Sequence, residues 1–329
     1  MKLLVLGGTV FLGRHVVEAA LAKGHEVTMF NRGQSNADLF PEVEKLQGDR
    51  DGNLKALEGR NWDAVIDTCG YVPRLVGDSA KLLADSVEHY SFVSSISVYP
   101  DFSNFNIDES IEVGTLEDET VEVVDGETYG PLKALCEQAA ESAMPGRVNH
   151  IRAGLIVGPN DISDRFPYWV KRVAEGGEVL APDKPENQLQ VIDVRDLSEW
   201  MLHMAETRQA GTFNVTGPDR TLTMGEFLDT CKNVSGSNAT FTWADEAFLM
   251  EKEVVQWVEL PLWIARESAG LMTTKIDKAL ARGLKFRSLS DTIQVTLEWE
   301  KTRPDDLERR AGMAADREAE LLEALRQIA

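Results

Sequence analysis

The chain has 329 residues, 43% of them hydrophobic, so it can bury a large core and is long enough for two domains or one elaborated α/β domain. Its 34 basic and 55 acidic residues give a formal charge of −21, which repels a phosphate backbone and weighs against general nucleic-acid binding. No stretch approaches the roughly 20 apolar residues of a membrane span, and Cys69, Cys136 and Cys231 lie far apart without metal-ligand spacing, so reduced thiols and a cytoplasmic location are expected.

The chain opens MKLLVLGGTVFLGR. Lys2 to Leu6 is an apolar run too short for a signal-peptide core and predicts a buried strand. It enters Gly7-Gly8, and Gly13 lies in a run, Phe11 to Leu21, with helical spacing of apolar residues. A strand, a tight turn and a helix N-terminus place backbone N–H groups and the helix dipole where a dinucleotide pyrophosphate would sit. Position 10, where the motif's middle glycine belongs, is Val, whose branched side chain limits backbone approach unless it turns inward. A glycine turn without a ligand is the alternative.

Glu26 to Phe30 predicts a second strand, ending at Asn31-Arg32-Gly33. Dinucleotide folds usually carry an acid here for the ribose; Asn31 can still bond a ribose hydroxyl, and Arg32 suits a 2′-phosphate, which favours NADP over NAD. An exposed turn arginine is the competing reading. Val43 to Leu46 predicts a third strand leading to Gly48-Asp49-Arg50, where Asp49 either accepts from the adenine amino group or caps a following helix. Asp63 to Asp67 predicts a fourth strand with a small polar exit, Thr68-Cys69-Gly70, suited to face a cofactor. A helix over Leu75–Asp85 and a fifth strand over His89–Val93 follow. This alternation predicts an α/β fold, a doubly wound parallel sheet of Rossmann type, with binding at the carboxyl ends of the strands.

The fifth strand exits into Ser94-Ser95-Ile96-Ser97-Val98-Tyr99. Ser103 to Leu132 then holds nine acids and no Lys or Arg, a solvated loop that could cover the site. Tyr129-Gly130-Pro131-Leu132-Lys133 begins a helix running to about Ser142, since Pro131 is tolerated only in a first turn. Tyr129 and Lys133, four apart, share a helical face, and a phenol beside an ammonium would have its phenolate favoured and serve as a base.

These segments resemble the extended or atypical short-chain dehydrogenase/reductase superfamily, in its NAD(P)-dependent epimerase/dehydratase branch. The resemblance rests on LGGTVFLGR, SSISVY, YGPLK, IRAGLIVGP at Ile151–Pro159, LQVIDVRDLSEWM at Leu189–Met201 and TFNVTGP at Thr212–Pro218. It implies catalytic Ser95, Tyr129 and Lys133. It also implies cofactor binding by Gly7, Thr9, Phe11, Leu12, Gly13, Asn31, Arg32, Asp49, Arg50, Thr68, Cys69, Tyr129 and Lys133. A homodimer built on the helices at Leu75–Asp85 and Tyr129–Ser142 is implied as well. Leu155 stands where many sugar-nucleotide enzymes of the branch carry an Asn that helps hold the substrate diphosphate. GGTVFLGR is also similar to a plant chloroplast branch of the superfamily reported to bind RNA.

By the same resemblance, residues 1–160 plus 188–217 form the dinucleotide domain, and 161–187 plus 218–329 a smaller, mostly helical substrate domain. Within the latter, Asp164 to Trp169 either lines a substrate cleft or packs Tyr168 and Trp169 into the core. Phe227–Val234, Ala247–Leu260, Ile276–Ala281, Leu289–Trp299 and Ala315–Ile328 read as helical, and Phe241–Trp243 as a short strand. Asp193, Arg195 and Asp196 read as a helix cap with a structural ion pair. No metal site is expected. The expected function is epimerisation or reduction of a hydroxyl- or carbonyl-bearing small molecule, with sugar nucleotides among the candidates. The rival is a catalytically weak cofactor-binding protein of the same fold, with RNA as one candidate partner.

Overall fold

A computed structural model describes residues 1–304 and 306–328. Six strands, β1 (Lys2–Leu6), β2 (Glu26–Asn31), β3 (Glu44–Gln47), β4 (Ala64–Asp67), β5 (His89–Ser95) and β6 (Val148–Ala153), join Gly211–Val215 in one parallel sheet. The spatial order is Gly211–Val215, β6, β5, β4, β1, β2, β3. The chain winds one way from β1 and then returns to wind the other way from β4, so a crevice opens at the carboxyl ends of β1 and β4.

The helices are α1 (Leu12–Ala22), α2 (Pro73–Leu83), α3 (Tyr129–Ala143), α4 (Arg165–Glu175), α5 (Val194–Glu206), α6 (Met224–Ser235), α7 (Glu246–Glu251), α8 (Asp277–Ala281), α9 (Leu289–Glu300) and α10 (Ala315–Ile328). Leu3 and Val5 face a core shared with Val16 and Val17 of α1 and Leu197 and Met201 of α5. Leu4 and Leu6 face the other core, with Val76 and Ala80 of α2 and Cys136 and Ala140 of α3. The two-residue period of the strand thus feeds both layers, which is why the run is apolar throughout.

A third core forms beyond the sheet, where Phe166 and Trp169 of α4 meet Phe227 of α6, Trp263, Ile293 of α9 and Leu321 of α10. Glu178–Pro182 pairs in parallel with Thr240–Ala244 beside it; the first of these strands was not anticipated from the sequence. The motif segment that starts at Leu189 holds two short strand pieces rather than one strand, Gln188–Leu189 antiparallel to Leu222–Thr223 and Ile192–Asp193 parallel to Ile156–Val157. The helix expected over Ala247–Leu260 ends at Glu251, because Glu253 (φ 54°) and Trp257 (φ 64°) adopt left-handed backbone that a right-handed helix cannot contain. Tyr168 and Trp169 lie in the core rather than the cleft. Asp193 does cap α5, accepting from the Arg195 N–H while pairing with its guanidinium.

Candidate active site

The glycine loop is shaped as a cradle. Gly7 and Gly8 have φ of 109° and 100°, which side-chain-bearing residues rarely adopt. Gly13 packs α1 against the loop so closely that a Cβ there would lie 2.6 Å from the Gly8 nitrogen. The N-terminus of α1 has neither a side-chain cap nor an acid in its first turn, so its first N–H groups are open to an anion. Val10 does not turn inward; it is 39% exposed and lines a cavity of about 330 Å³ with Gly7, Thr9, Arg32, Asp49 and Cys69. These features fit a dinucleotide pyrophosphate.

Several predicted binding residues carry other duties. The Asn31 amide donates to the Gly7 carbonyl (3.0 Å) and its oxygen accepts from the Gly33 N–H (2.9 Å), so it braces the glycine loop rather than standing ready for a ribose. Thr68 Oγ1 likewise donates to the Leu6 carbonyl at 3.0 Å. Asp49 accepts from the Asp51 N–H at 3.0 Å inside a tight turn and caps no regular helix. Arg50 is buried in a bidentate pair with Asp67 (2.7 and 2.8 Å) and donates to Ser79 at 2.6 Å. Burial alone would lower the Arg50 guanidinium's pKa; Asp67 overrides it and leaves that pKa raised. Cys69 has its thiol pushed up to about 11, by burial first and by Asp67 second, so it is a poor nucleophile. Arg32 is exposed at the far end of the same cavity.

The second, larger cavity, about 1190 Å³, begins at Phe11 and is lined by Ser95, Ser97, Tyr129, Leu155, Asp161 and Arg165, among others. The acidic loop borders it through Val113–Thr115 and Val124–Glu127. Ser95 ends β5 and Tyr129 starts α3. They come together because Gly130 lets α3 touch the Ser97 carbonyl oxygen, a spot where any Cβ would collide. Pro131 is the third helical residue, within the first turn. Ser95 Oγ donates to Ser97 Oγ and accepts from the Ser97 N–H, both at 3.1 Å.

Lys133 is buried one turn deeper, its Nζ donating to the carbonyls of Gly70 (2.7 Å) and Val93 (2.8 Å). Burial pushes the ammonium down to about 8. Tyr129 does not have the lowered pKa expected from its sequence neighbour. Burial raises it, and the opposing influences are the Ser95 hydroxyl and the Arg165 charge. Lys133 Nζ lies 5.9 Å from the Tyr129 ring centre and 4.5 Å from that of Tyr71, which lines the smaller cavity. Tyr71, Asp161 and Trp257 were not singled out from the sequence. Tyr71 directly follows the polar exit of β4 and was legible on that ground, whereas Trp257 was hidden inside the helix wrongly expected there.

The chain is 24% identical over 253 residues to the chloroplast stem-loop binding protein of 41 kDa b of Arabidopsis thaliana, covering 71% of this chain and 63% of that protein. Among solved structures, UDP-glucose 4-epimerase from Bifidobacterium longum, in complex with NAD+ and UDP, superposes with TM-score 0.65 at 19% identity, over 93% of this chain and 100% of that one. A human epimerase family protein with NADPH superposes with TM-score 0.60 at 20% identity, over 91% and 99%. At such identities the likeness shows the fold. The model of the NAD dependent epimerase/dehydratase family matches residues 3–84 and 76–216, which hold the glycine cradle, Ser95, Tyr129 and Lys133, and the chain therefore belongs to that family.

Proposed function

We propose that the protein is an NAD(P)-dependent epimerase or reductase that acts on a hydroxyl- or carbonyl-bearing small molecule through Ser95, Tyr129 and Lys133. One observation carries the reading. The Ser95 and Tyr129 hydroxyls share the wall of a 1190 Å³ cavity that runs to Phe11, at the uncapped N-terminus of α1. Ser95 hydrogen-bonds the reacting oxygen, Tyr129 exchanges its proton, and Lys133, its Nζ anchored to two carbonyls, would hold the nicotinamide ribose with its remaining N–H. The bound cofactor supplies the hydride acceptor or donor. Net reduction and closed-cycle epimerisation use the same three residues.

NADP is preferred over NAD in this reading, because Arg32 lines the cavity end with no side-chain partner among the described residues. Sugar nucleotides are a candidate substrate class by similarity to the solved epimerases, although the Leu155 side chain offers a diphosphate no hydrogen bond. We also infer a homodimer through α2 and α3, a division into residues 1–160 plus 188–217 and 161–187 plus 218–329, and a cytoplasmic location. The stem-loop binding relative supports a second reading, RNA contact by a protein that keeps the cofactor; the charge of −21 opposes it.

The test is Tyr129→Phe, assayed on a panel of carbonyl compounds and nucleotide sugars by NAD(P)H absorbance and product stereochemistry. Turnover should fall by about 10²–10⁴ while cofactor affinity and thermal stability hold. A Phe variant working at the native rate would show the assignment of Tyr129 to be wrong.

A further inference from the structure

We propose that Arg165, backed by Trp257 at the large cavity, receives a single carboxylate on the substrate, so that the substrate is an oxo- or hydroxy-acid rather than a nucleotide diphosphate. The inference rests on the proposed function in placing the substrate in this cavity. Among the described residues, Arg165 is the one cation lining it, against three acids, Asp125, Glu127 and Asp161.

The neighbouring arginines are already taken: Arg303 and Arg309 both pair with Asp164 and Glu300. Arg165 takes no carboxylate partner among the described residues; its guanidinium instead lies 5.5 Å from the Trp257 ring centre. Trp257 sits there in left-handed backbone (φ 64°), a conformation uncommon for so bulky a residue and held by the packing around it. A guanidinium backed by an aromatic ring keeps its N–H edge free for a planar, two-toothed acceptor, which a carboxylate is.

Charge balance sets the class. One guanidinium offsets one carboxylate, whereas a diphosphate brings at least two negative charges toward Asp125, Glu127 and Asp161. The Arg165 charge also acts on Tyr129, where it opposes the rise caused by burial, so the anion site and the reacting end share one space. The same cavity also presents Phe102, Val113, Leu155, Phe166 and Leu271, apolar side chains that can cover a carbon skeleton.

The experiment is calorimetric titration of glyoxylate, succinic semialdehyde and 4-formylbenzoate, each beside its methyl ester, into the native protein and the Arg165→Gln and Arg165→Lys variants. At least one acid should bind the native protein about tenfold or more tightly than its ester. That margin should vanish in Arg165→Gln and persist in part in Arg165→Lys, with thermal unfolding unchanged because Arg165 holds no ion pair. No margin in any pair, or a margin that survives Arg165→Gln, overturns the site. NAD(P)H oxidation separates the two levels. Acids that bind by Arg165 without being reduced uphold the site and count against the redox reading; acids and esters bound and reduced alike do the reverse.

Discussion

The buried pair of Arg50 and Asp67 should be the most sensitive point of the cofactor edge. Asp67 is fully buried at the end of β4, and its two oxygens accept from Arg50, from Tyr90 Oη at 2.8 Å and from the Cys69 N–H at 3.1 Å. Arg50→Met keeps the approximate volume but leaves the carboxylate without its cation, in a place water does not reach. Stranding one partner of a buried pair costs about 3–5 kcal/mol, a large share of the 5–15 kcal/mol that typically holds a domain folded. Urea unfolding followed by tryptophan fluorescence measures the loss. Arg50→Met with Asp67→Leu should recover at least about 1 kcal/mol of it, since no charge is then stranded, although Tyr90 and Ser79 lose their partners. Because Asp67 also fixes the Cys69 N–H, the single variant should bind NADP(H) more weakly. A loss below about 1 kcal/mol, or a double variant no more stable than the single, would refute the reasoning.

Arg32→Ala should remove most of any NADP preference, on the order of 1.5–3 kcal/mol or roughly tenfold to hundredfold in dissociation constant; equal or better NAD binding by the native protein would sink the idea. His89 is buried beside Ser91, and burial lowers its pKa to about 4. A depressed histidine pKa means the unfolded chain binds the proton first, so stability should be intact above about pH 6.5 and fall by about 3 kcal/mol on the way down to about pH 4. His89→Gln should flatten that part of a stability-against-pH curve, and an unaltered curve would contradict the assignment. Light scattering at micromolar concentration should give a dimer mass; a monomer would remove α2 and α3 as an interface.

The sheet and its flanking helices were legible because each strand is a short apolar run bounded by Gly, Asn, Asp or Ser, and because the two-residue and 3.6-residue periods differ clearly. Five of the seven strands of the main sheet were located to within a residue or two on these grounds, and so was the start of α3 at Tyr129, which Pro131 marks. The chain order Ser95, Tyr129, Lys133 was equally visible. The duties of Asn31 and Arg50 were not, since a side chain's partners depend on what the fold brings near it. Asn31 meets Gly7 only because β1 and β2 pair in register, and Arg50 meets Asp67 only across the turn after β3.

The same holds for the pKa values. Spacing placed Lys133 beside Tyr129, yet burial and the carbonyls of Gly70 and Val93 turn its ammonium elsewhere. The segment after Glu251 carries apolar residues at helical spacing, yet α7 closes there, with Glu253 in left-handed backbone and the Glu253 and Val254 N–H groups donating back to the Met250 and Leu249 carbonyls. Local sequence by itself determined which segments could be strand or helix, because periodicity and turn chemistry act between near neighbours. Only the tertiary structure decided which polar groups face the cavity and with what charge, because desolvation and pairing are set by groups that the fold brings together from separate segments.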